Sequence, residues 1–537
     1  MYFSHILAIT AIILLSISLF FEFKRNLLMF QQNSYRPERY KKWLENSGES
    51  TSFIKLFGIF LALFGLAAFG VIRFVLIAYI IYAIVVSAKL GKQKYKKPLV
   101  VTNRIKRLSI SIIFITFIIV GAVVLLSLNG MFGKPRALFS ICITLLFVLS
   151  FSNVIIFLSY YLCKPLENRI NKKFYEKAKA KLESLPNLKV IGVTGSYGKT
   201  STKHFLHAIL SEHYETLMTP GSFNTTLGVV RTINEYLKPY HQAFIVEMGA
   251  KQPKDIEEIC RLVNPEYGIL TSVGPQHLET FGTIENVRNT KFELIDSLPS
   301  SGWAILNNDY PMIAMRDVEN CNVLRYSCLG KDNNINYYAH NVHYSSQGTS
   351  FTLEGPDNFS EDFQTQLLGE YNIANLTAAI AASILLEIPL SIIKYAVARI
   401  EPVEHRLSLR PLPSGILIID DAYNSNPVGS QMAVEVLAEI SRGKSIIITP
   451  GMIELGEKQF ELNAKLGQHI AEKNIDYVVI VGQYNKEAIL TGLERNDYPT
   501  ERILYFDTFN EANAWMIAFC NPGDTVLIEN DLPDTFK

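Results

Sequence analysis

Long apolar runs dominate the first 163 residues of the chain. They cover residues 4–21, 53–88, 108–129 and 137–162. The first, third and fourth runs are each long enough for one helix that spans a lipid bilayer, which takes about 20 residues. The second run is too long for one such helix and about right for two short ones. No small-residue cleavage site follows the first run, so we interpret it as an anchor and not as a removed signal peptide.

Basic residues between these runs predict how the chain is threaded. The loops 22–52 and 89–107 are rich in Lys and Arg, whereas the loop 130–136 carries only two such residues. Because basic loops tend to stay on the cytoplasmic side, the first two loops are predicted inside and the third outside. The segment 53–88 must then cross twice or re-enter, and we interpret it as two crossings. About five crossings over residues 1–163 predict a multi-pass protein of the cell membrane whose remaining domains are cytoplasmic.

A different helical pattern follows over residues 164–188. The apolar residues Leu166, Ile170, Phe174 and Ala178 recur at helical spacing, and Lys dominates the other faces. This predicts an amphipathic connecting helix, which either lies at the membrane interface or is a solvated linker.

From Lys189 onward, apolar runs of strand length alternate with helical segments. The alternation predicts parallel sheets covered by helices, so the fold class is α/β after an N-terminal α-helical transmembrane bundle. We place a central domain with a phosphate loop at 189–402 and a Rossmann-like C-terminal domain at 403–537. Short alternating runs within 320–366 predict a small antiparallel patch. Several of the parallel strands end in polar residues, which predicts one shared ligand crevice at their carboxyl ends.

Composition and charge narrow the function classes. The chain has 537 residues and a formal net charge of +1, which argues against nucleic acid as the main partner. The six Cys are scattered without a C-x-x-C pair, so neither a zinc site nor a disulfide framework is predicted. Free cysteines fit a reducing compartment for the soluble part.

The clearest chemical motif is the stretch Val190–Lys203, VIGVTGSYGKTSTK. An apolar strand runs into a Gly-rich turn, after which Gly198, Lys199 and Thr200 open a helix. Such a turn directs backbone N–H groups and a helix N-terminus at phosphate oxygens, while the lysine adds positive charge and the threonine hydroxyl can bind Mg²⁺. The spacing is a shorter variant of the common phosphate loop, with Val193 where the first Gly should be. We interpret it as a nucleotide phosphate site; the alternative is an ordinary strand–turn–helix with a chance lysine.

Two further polar residues follow predicted strands. The run 243–249 predicts a buried strand that ends in Glu247, where the carboxylate could join Thr200 in binding Mg²⁺. His277 lies in the loop after the next run. Taken alone, each is more often a surface or loop residue, so the pattern by itself leaves both assignments open.

Taken together, nine motifs in a fixed order closely resemble the Mur ligase family over about residues 189–530. The motifs are TGSYGKTSTK (194–203), SFNTTLG (222–228), VEMGA (246–250), GPQHLETFGTIENVRNTKFEL (274–294), NNDYP (307–311), GEYNIANLTAA (369–379), EHRLSL (404–409), DDAYNSNP (420–427) and GMIELG (451–456). The last two resemble the branch that joins D-Ala-D-Ala to a UDP-linked muramyl tripeptide. The resemblance implies an ATP-dependent ligase of cell-wall precursor synthesis, which forms an amide bond through an acyl phosphate and releases ADP.

The resemblance also implies roles for individual residues, with ATP and two Mg²⁺ ions as cofactors. The implied catalytic residues are Lys199, Glu247, His277, Lys291 and Arg406. The implied ATP-binding residues are Thr194, Gly195, Ser196, Tyr197, Gly198, Lys199, Thr200, Ser201, Asn307, Asn308, Asn372, Arg406 and Asp421. The implied metal ligands are Thr200 and Glu247 for one ion and His277 for the second, with Lys291 where the family usually carries a carbamylated lysine. The implied acceptor contacts are Asn224, Thr225, Tyr423, Asn424 and Asn426. A simple lysine salt bridge is the alternative at Lys291, and Tyr371 replaces the His common in its motif.

The chain departs from the family before residue 189. Soluble relatives begin with a domain that holds the UDP part of the acceptor, and here the predicted crossings occupy its place. The predicted partners are a nucleotide- or lipid-linked muramyl peptide, an amino acid or dipeptide amine, and the bacterial membrane. The membrane could present a lipid-linked acceptor; alternatively, the crossings are only an anchor that brings the enzyme near other cell-wall enzymes. A ligase for another amide-linked polymer of the poly-γ-glutamate type is a second hypothesis. A transporter or scaffold with a regulatory nucleotide domain is a third, against which the complete set of implied catalytic residues argues.

Overall fold

The computed structural model describes every residue except 1, 50–51, 68–70, 94, 96–97, 129–136, 277, 346–347, 403–406, 423–424 and 531–537. The described chain forms two compact units, of which the first runs to residue 171 and the second begins at residue 172. His277, Arg406, Tyr423 and Asn424, which the sequence singles out, lie outside the described residues.

The first unit is helical. Its helices are α1 (Tyr2–Gln32), α2 (Pro37–Asn46), α3 (Phe53–Ala67), α4 (Ile72–Gly91), α5 (Asn103–Leu128), α6 (Ala137–Ser150) and the first part of α7 (Ser152–Glu183). The run 53–88 divides into two helices, in agreement with the interpretation above. The helix α1 continues well past the predicted end of its apolar run at residue 21, because its later turns still bury Leu27 and Phe30.

Three helices of the first unit are long and apolar enough to cross a membrane, over residues 3–32, 72–91 and 103–127. A fourth span results if α6 and α7, which meet at a bend of 76°, count as one. The fifth predicted crossing falls on α3, which is apolar but has only 15 residues. By length and composition, the described helices therefore account for three of the five predicted crossings, or four if the bent pair is one span.

The connecting helix does not begin where the pattern predicts. Instead of starting at residue 164, α7 starts at Ser152 and runs on through Pro165. The break in the chain falls earlier, at Phe151, where it lets Ser152 and Asn153 turn inward and bond to Glu22 and Lys55.

Apolar side chains occupy both the inside and the outside of the first unit. Leu15, Leu146 and their neighbours are buried between the helices. Yet Phe53, Phe74 and Phe117 are 79%, 75% and 76% exposed, together with many Ile and Leu side chains. A protein surface this apolar is unusual in water and is typical of a surface that contacts lipid or another protein.

The second unit contains two sheets. The strands of the first are β1 (Lys189–Thr194), β2 (Thr216–Met218), β3 (Ala243–Glu247), β4 (Tyr267–Leu270), β5 (Trp303–Asn307), β6 (Asn322–Ser327), β7 (Tyr337–Ser345), β8 (Gly348–Glu354) and β9 (Ser360–Thr365). Its helices are α8 (Lys199–Leu210), α9 (Thr226–Glu235), α10 (Asp255–Val263), α11 (Leu278–Phe281), α12 (Ile284–Asp296), α13 (Pro311–Ala314), α14 (Glu370–Leu385) and α15 (Leu390–Arg399).

The strand order of this sheet is β2-β3-β1-β4-β5-β6-β7-β8-β9. All neighbours are parallel except β7–β8 and β8–β9. The predicted antiparallel patch is therefore smaller than its sequence range, because β6 extends the parallel sheet instead of pairing in a hairpin.

The second sheet contains β10 (Ser408–Pro411), β11 (Leu417–Asp421), β12 (Ser445–Thr449), β13 (Tyr477–Val481), β14 (Ile503–Phe506) and β15 (Thr525–Glu529), in the order β10-β11-β15-β12-β13-β14. Only the edge strand β10 is antiparallel to its neighbour among the described pairs. The helices that go with it are α16 (Pro427–Ile440), α17 (Gln459–Glu472), α18 (Lys486–Glu494) and α19 (Phe509–Phe519). The predicted α/β class is confirmed.

Parallel pairing brings predicted site residues together at the carboxyl ends of neighbouring strands. Val193 lies opposite Glu247 across β1 and β3, so the phosphate loop and the carboxylate leave the sheet side by side. In the second sheet, Asp421 lies opposite Glu529 at the ends of β11 and β15.

Candidate functional site

The loop between β1 and α8 has a backbone that only glycine fits at two points. Gly198 caps α8 with a left-handed backbone at φ +80°. A Cβ there would lie 2.2 Å from Asn375 Oδ1, and one at Gly195 would lie 2.1 Å from Thr271 Oγ1. The two glycines therefore let the loop pass close to its neighbours while α8 begins at Lys199.

Residues after β4 hold this loop in place. Ser272 O accepts the Ser196 N–H at 2.9 Å, and Ser272 Oγ accepts the Tyr197 N–H at 2.6 Å. Thr271 Oγ1 donates to Tyr197 O and to Thr194 O. The motifs did not single out Thr271 or Ser272, although both are polar residues that directly follow a buried strand.

Lys199 folds back over the loop that it follows. Its Nζ donates to Gly195 O at 2.6 Å and to Ser196 O at 2.9 Å. The cation is thus held at the N-terminus of α8, where the helix dipole and the first backbone N–H groups also attract anions.

Glu247 is the centre of the polar cluster beside the loop. It is 1% exposed, and its Oε1 accepts hydrogen bonds from Thr200 Oγ1 at 3.2 Å and Asn224 Nδ2 at 3.1 Å. Its Oε2 lies 3.0 Å from Lys203 Nζ. Burial alone would raise the pKa of this carboxyl, but the charges of Lys203 and Lys199 and the hydrogen bonds outweigh it and lower the pKa.

Lys203 completes the cluster and was not predicted as a site residue. It is fully buried, and besides Glu247 its Nζ contacts Thr219 O at 2.9 Å and Gly221 O at 2.6 Å. A signal for it existed in the sequence, since it lies four residues after Lys199 and therefore on the same face of α8.

The oxygens of Thr200 and Glu247 fit one Mg²⁺ ion. They approach each other at the start of α8, and hydroxyl and carboxylate oxygens are ligands that Mg²⁺ takes beside substrate phosphates. Within the described part of the chain, no group of three or more His, Cys, Asp or Glu residues could hold a metal ion on its own. The phosphate oxygens of a nucleotide and water molecules would supply further ligands of the ion.

Lys291 on α12 carries a buried amine. It is 2% exposed, and its side chain makes no hydrogen bond or ion pair with another described residue. Burial and then the nearby charge of Lys199 place its pKa well below the ordinary value. The salt bridge considered as an alternative is thus not found among the described residues, and burial disfavours the charged form of the amine.

The residues implied at the adenine end divide into two groups. Asn307 is joined to the loop region, because its Nδ2 donates to Thr271 O at 2.9 Å. Asn308 bonds instead to Arg325 and Asp332, and Asn372 bonds to Leu368 O.

Asn375, one turn after Asn372 on α14, reaches the loop instead. Its Oδ1 lies 3.2 Å from Thr202 Oγ1 and directly beside Gly198. The motif GEYNIANLTAA contains both asparagines, and only the tertiary packing of α14 against α8 distinguishes them.

The implied acceptor residues in the described chain have clear local roles. Thr225 Oγ1 accepts the Gly228 N–H at the start of α9, and Asn426 Oδ1 accepts the Gly429 N–H at the start of α16. Both are helix caps, whereas Asn224 bonds to Glu247. The cap residues orient the loops that begin these helices.

Two carboxyl groups meet at the edge of the second sheet. Asp421 Oδ1 accepts the Leu407 N–H at 3.1 Å, and its neighbour Glu529 is fully buried with a hydrogen bond from Ser425. Burial and the charge of Asp421 raise the pKa of Glu529 well above its ordinary value. Glu529 was not predicted, because its strand end carries no recognised motif.

Comparison with known proteins is consistent with this geometry. Residues 193–383 match the model of the Mur ligase middle domain, and residues 405–529 match that of the Mur ligase glutamate ligase domain. The UDP-N-acetylmuramoyl-tripeptide–D-alanyl-D-alanine ligase of Bacillus subtilis is 31% identical over 353 residues, which are 66% of this chain and 75% of that protein. The ligase of the same name from Escherichia coli is 35% identical over 298 residues, which are 55% of this chain and 65% of that protein.

A solved structure agrees with these matches. The MurF ligase from Thermotoga maritima in complex with ADP superposes with a TM-score of 0.60 at 27% identity, covering 67% of this chain and 80% of that one. Both family models fall within the second unit described above.

Proposed function

The chain belongs to the Mur ligase family of ATP-dependent, ADP-forming ligases, and we propose that it joins D-Ala-D-Ala or a similar amine to the carboxylate of a muramyl peptide in peptidoglycan synthesis. The observation that carries the proposal is the cluster of Lys199, Thr200, Lys203 and Glu247 at the carboxyl ends of β1 and β3. It joins a phosphate loop to a metal-binding carboxylate, which is what activation of a carboxylate by ATP requires.

The described residues have distinct tasks in this reaction. The loop amides and Lys199 would hold the phosphates of ATP, and Thr200 and Glu247 would hold a Mg²⁺ ion. Such an ion would reduce the repulsion between the acceptor carboxylate and the γ-phosphate. The carboxylate oxygen attacks the γ-phosphorus and ADP leaves; the amine then attacks the acyl phosphate, an amide forms, and phosphate and a proton leave. Lys203 keeps Glu247 ionised and in place.

We further propose that Lys291 is carbamylated. The neutral amine attacks carbon dioxide, the N–C bond forms, and a proton is released to solvent. The product is a carbamate whose oxygens are ligands that Mg²⁺ accepts, whereas the amine itself is not. The burial and lowered pKa of Lys291 support this step.

The remaining assignments stay part of the proposal. A second Mg²⁺ would be served by His277, and Arg406 would reach the γ-phosphate. Asn307 and Asn375 would line the nucleotide side of the site. Asp421 would help to fix the ribose or Arg406. The acceptor side would be formed by Asn224, Thr225, Tyr423, Asn424 and Asn426.

We propose that the first unit lies in the cell membrane with the second unit in the cytoplasm. Three candidate spans and the exposed Phe53, Phe74 and Phe117 support this placement. A membrane-embedded ligase meets lipid-linked substrates at a high effective concentration, which favours a lipid-linked acceptor. The alternative acceptor is the UDP-linked peptide.

The test uses the purified full-length protein in detergent with Mg²⁺, ATP and D-Ala-D-Ala. Phosphate release is measured with UDP-linked muramyl tripeptide and, separately, with its lipid-linked counterpart. A Glu247→Gln variant serves as the control for release that does not depend on the site. Turnover with one form identifies the acceptor, and silence with both, while ATP still binds, would contradict the proposed substrates.

A further inference from the structure

The first unit contains a small cavity with charged residues in its lining, and the ligase reaction does not use it. It has a volume of about 60 Å³ and lies between α1, α3, α4 and α6. Its charged lining consists of Glu22, Arg25, Glu49, Lys55 and Lys89. Ionisable groups among apolar helices are costly to bury and commonly mark a functional site.

The two acidic side chains are already paired. Lys55 Nζ lies 3.2 Å from Glu22 Oε1, and Arg25 Nη1 lies 3.6 Å from Glu22 Oε2. Arg25 also pairs with Glu49. Asn26 and Ser152 donate further hydrogen bonds to Glu22, each at 3.1 Å.

The cations outnumber the acids in the lining by one. Lys89, in the last turn of α4, is exposed and makes no hydrogen bond or ion pair with another described residue. Among the described residues, Lys89 therefore adds one positive charge without a paired acid to the rim of the cavity, which Arg25 also lines.

The position of the cavity along the helices indicates which anions can reach it. It lies where the apolar stretch of α1 ends, α3 begins and α4 ends. Both basic loops flank these helix ends, so in the proposed membrane placement the cavity lies at the level of the cytoplasmic lipid headgroups. Ile54, Val86 and Leu90 form an apolar wall on which a lipid chain can lie.

We propose that this cavity binds the phosphate group of an anionic membrane lipid, with Lys89 and Arg25 as the groups that contact it. The inference rests on the membrane placement proposed above and not on the ligase activity. The phosphate of a soluble nucleotide sugar has the same chemistry, so the experiment separates the two sources.

The experiment measures binding of polyprenyl phosphate to the full-length protein in detergent by native mass spectrometry, without ATP or an amine. The neutral alcohol polyprenol, UDP and inorganic phosphate are the comparison ligands. We expect polyprenyl phosphate to bind at least about tenfold more tightly than each of them, because a hydrogen bond to a charged group contributes about one decade of affinity. Equal binding of polyprenol, or preference for UDP, would overturn the proposal.

Three variants test the role of charge. Lys89→Gln is expected to weaken binding about tenfold, whereas Lys92→Gln, an exposed lysine that follows α4 and does not line the cavity, leaves it unchanged. Glu49→Gln removes an acid from the lining and is expected to tighten binding. Equal weakening by both lysine variants, or no change with Glu49→Gln, would overturn the assignment and leave a purely structural ion-pair cluster. Because the assay contains no ligase substrates, its failure is distinguishable from failure of the proposed reaction.

Discussion

Glu247 keeps a negative charge inside the protein because Lys203 is buried beside it. Each partner is essentially removed from water, and neither could be ionised there alone. Thr200 and Asn224 donate hydrogen bonds to Oε1, the other oxygen of the carboxylate. The pair therefore fixes the orientation of the proposed metal ligand before any metal or nucleotide binds.

Replacing Lys203 by Met should leave an uncompensated buried carboxylate and lower the free energy of unfolding by about 3–5 kcal/mol. The double variant Lys203→Met/Glu247→Gln should regain most of that stability but no activity, because the buried charge is removed together with the proposed metal ligand. Thermal unfolding and phosphate release of both variants check this. Equal stability of the single and the double variant would contradict it.

Lys291→Ala should reduce phosphate release roughly 100-fold, in line with the loss of a group that orients a catalytic metal. A short-chain carboxylate added to the assay should restore part of the activity, because it can occupy the space of the proposed carbamate. Lys291→Arg is the matched control, since it fills that space and should not be rescued. Unchanged activity of Lys291→Ala would refute carbamylation.

Glu529→Gln should stabilise the protein, and more so at pH 8 than at pH 5. The raised pKa means that the folded state binds a proton that the unfolded state, with an ordinary pKa of about 4.3, has released. Stability of the parent protein therefore falls as the pH rises above that unfolded value, whereas the Gln variant lacks this loss. Unfolding temperatures of Glu529→Gln and of the exposed control Glu487→Gln, measured at both pH values, check the difference. A gap that shrinks toward pH 8 would contradict the expectation.

At the scale of elements, the junction between β1 and α8 depends on its glycine. Gly198→Ala should cost about 1–2 kcal/mol for the left-handed backbone and bring a Cβ against Asn375. We expect ATP affinity to fall at least about tenfold, since the loop must shift. Gly482→Ala is the control, with φ +74° and nothing within 4 Å of the added Cβ. Calorimetric titration with ATP measures both, and equal losses would show that backbone strain alone is responsible.

Much of the element pattern was predictable because parallel strands are short, apolar and separated by helices. The strand-end position of Glu247 and the opening of α8 at Lys199 follow from local sequence alone. The partners of the loop do not, because Thr271 and Asn375 reach it through the order of strands and the packing of α14. Nothing in a single sequence states that order, and the same limit explains why β6 was not foreseen as a parallel strand.

Helix ends in the first unit show the same limit. The apolar run of α1 stops near residue 21, but the helix continues because Leu27 and Phe30 pack against other helices. The bend at Phe151 lies inside a continuous apolar run and is accompanied by hydrogen bonds from Ser152 and Lys55 to distant residues. Hydropathy detects how apolar a segment is and not where its partners are.

At the scale of the whole molecule, we expect the full-length protein to remain in the membrane fraction after an alkaline carbonate wash. Helices that cross a bilayer satisfy their backbone hydrogen bonds internally and are not released by a change of charge. A chain that begins at residue 172, and so lacks the first unit, is the control and should be released. Immunoblots of pellet and supernatant measure the partition. Release of the full-length protein would contradict the membrane placement.

The contacts of the site lysines have a consequence for chemical selectivity. An acyl phosphate reacts with amines, so a ligase that makes one endangers its own lysines. Lys203 directs its three N–H bonds at Thr219 O, Gly221 O and Glu247, an arrangement that suits an ammonium ion, which has no lone pair to attack with. Lys199 is likewise turned onto two carbonyl oxygens, and a carbamate would block the nitrogen of Lys291. We expect these contacts to protect the site lysines from acylation, which leaves the activated carboxyl for the amine of the substrate.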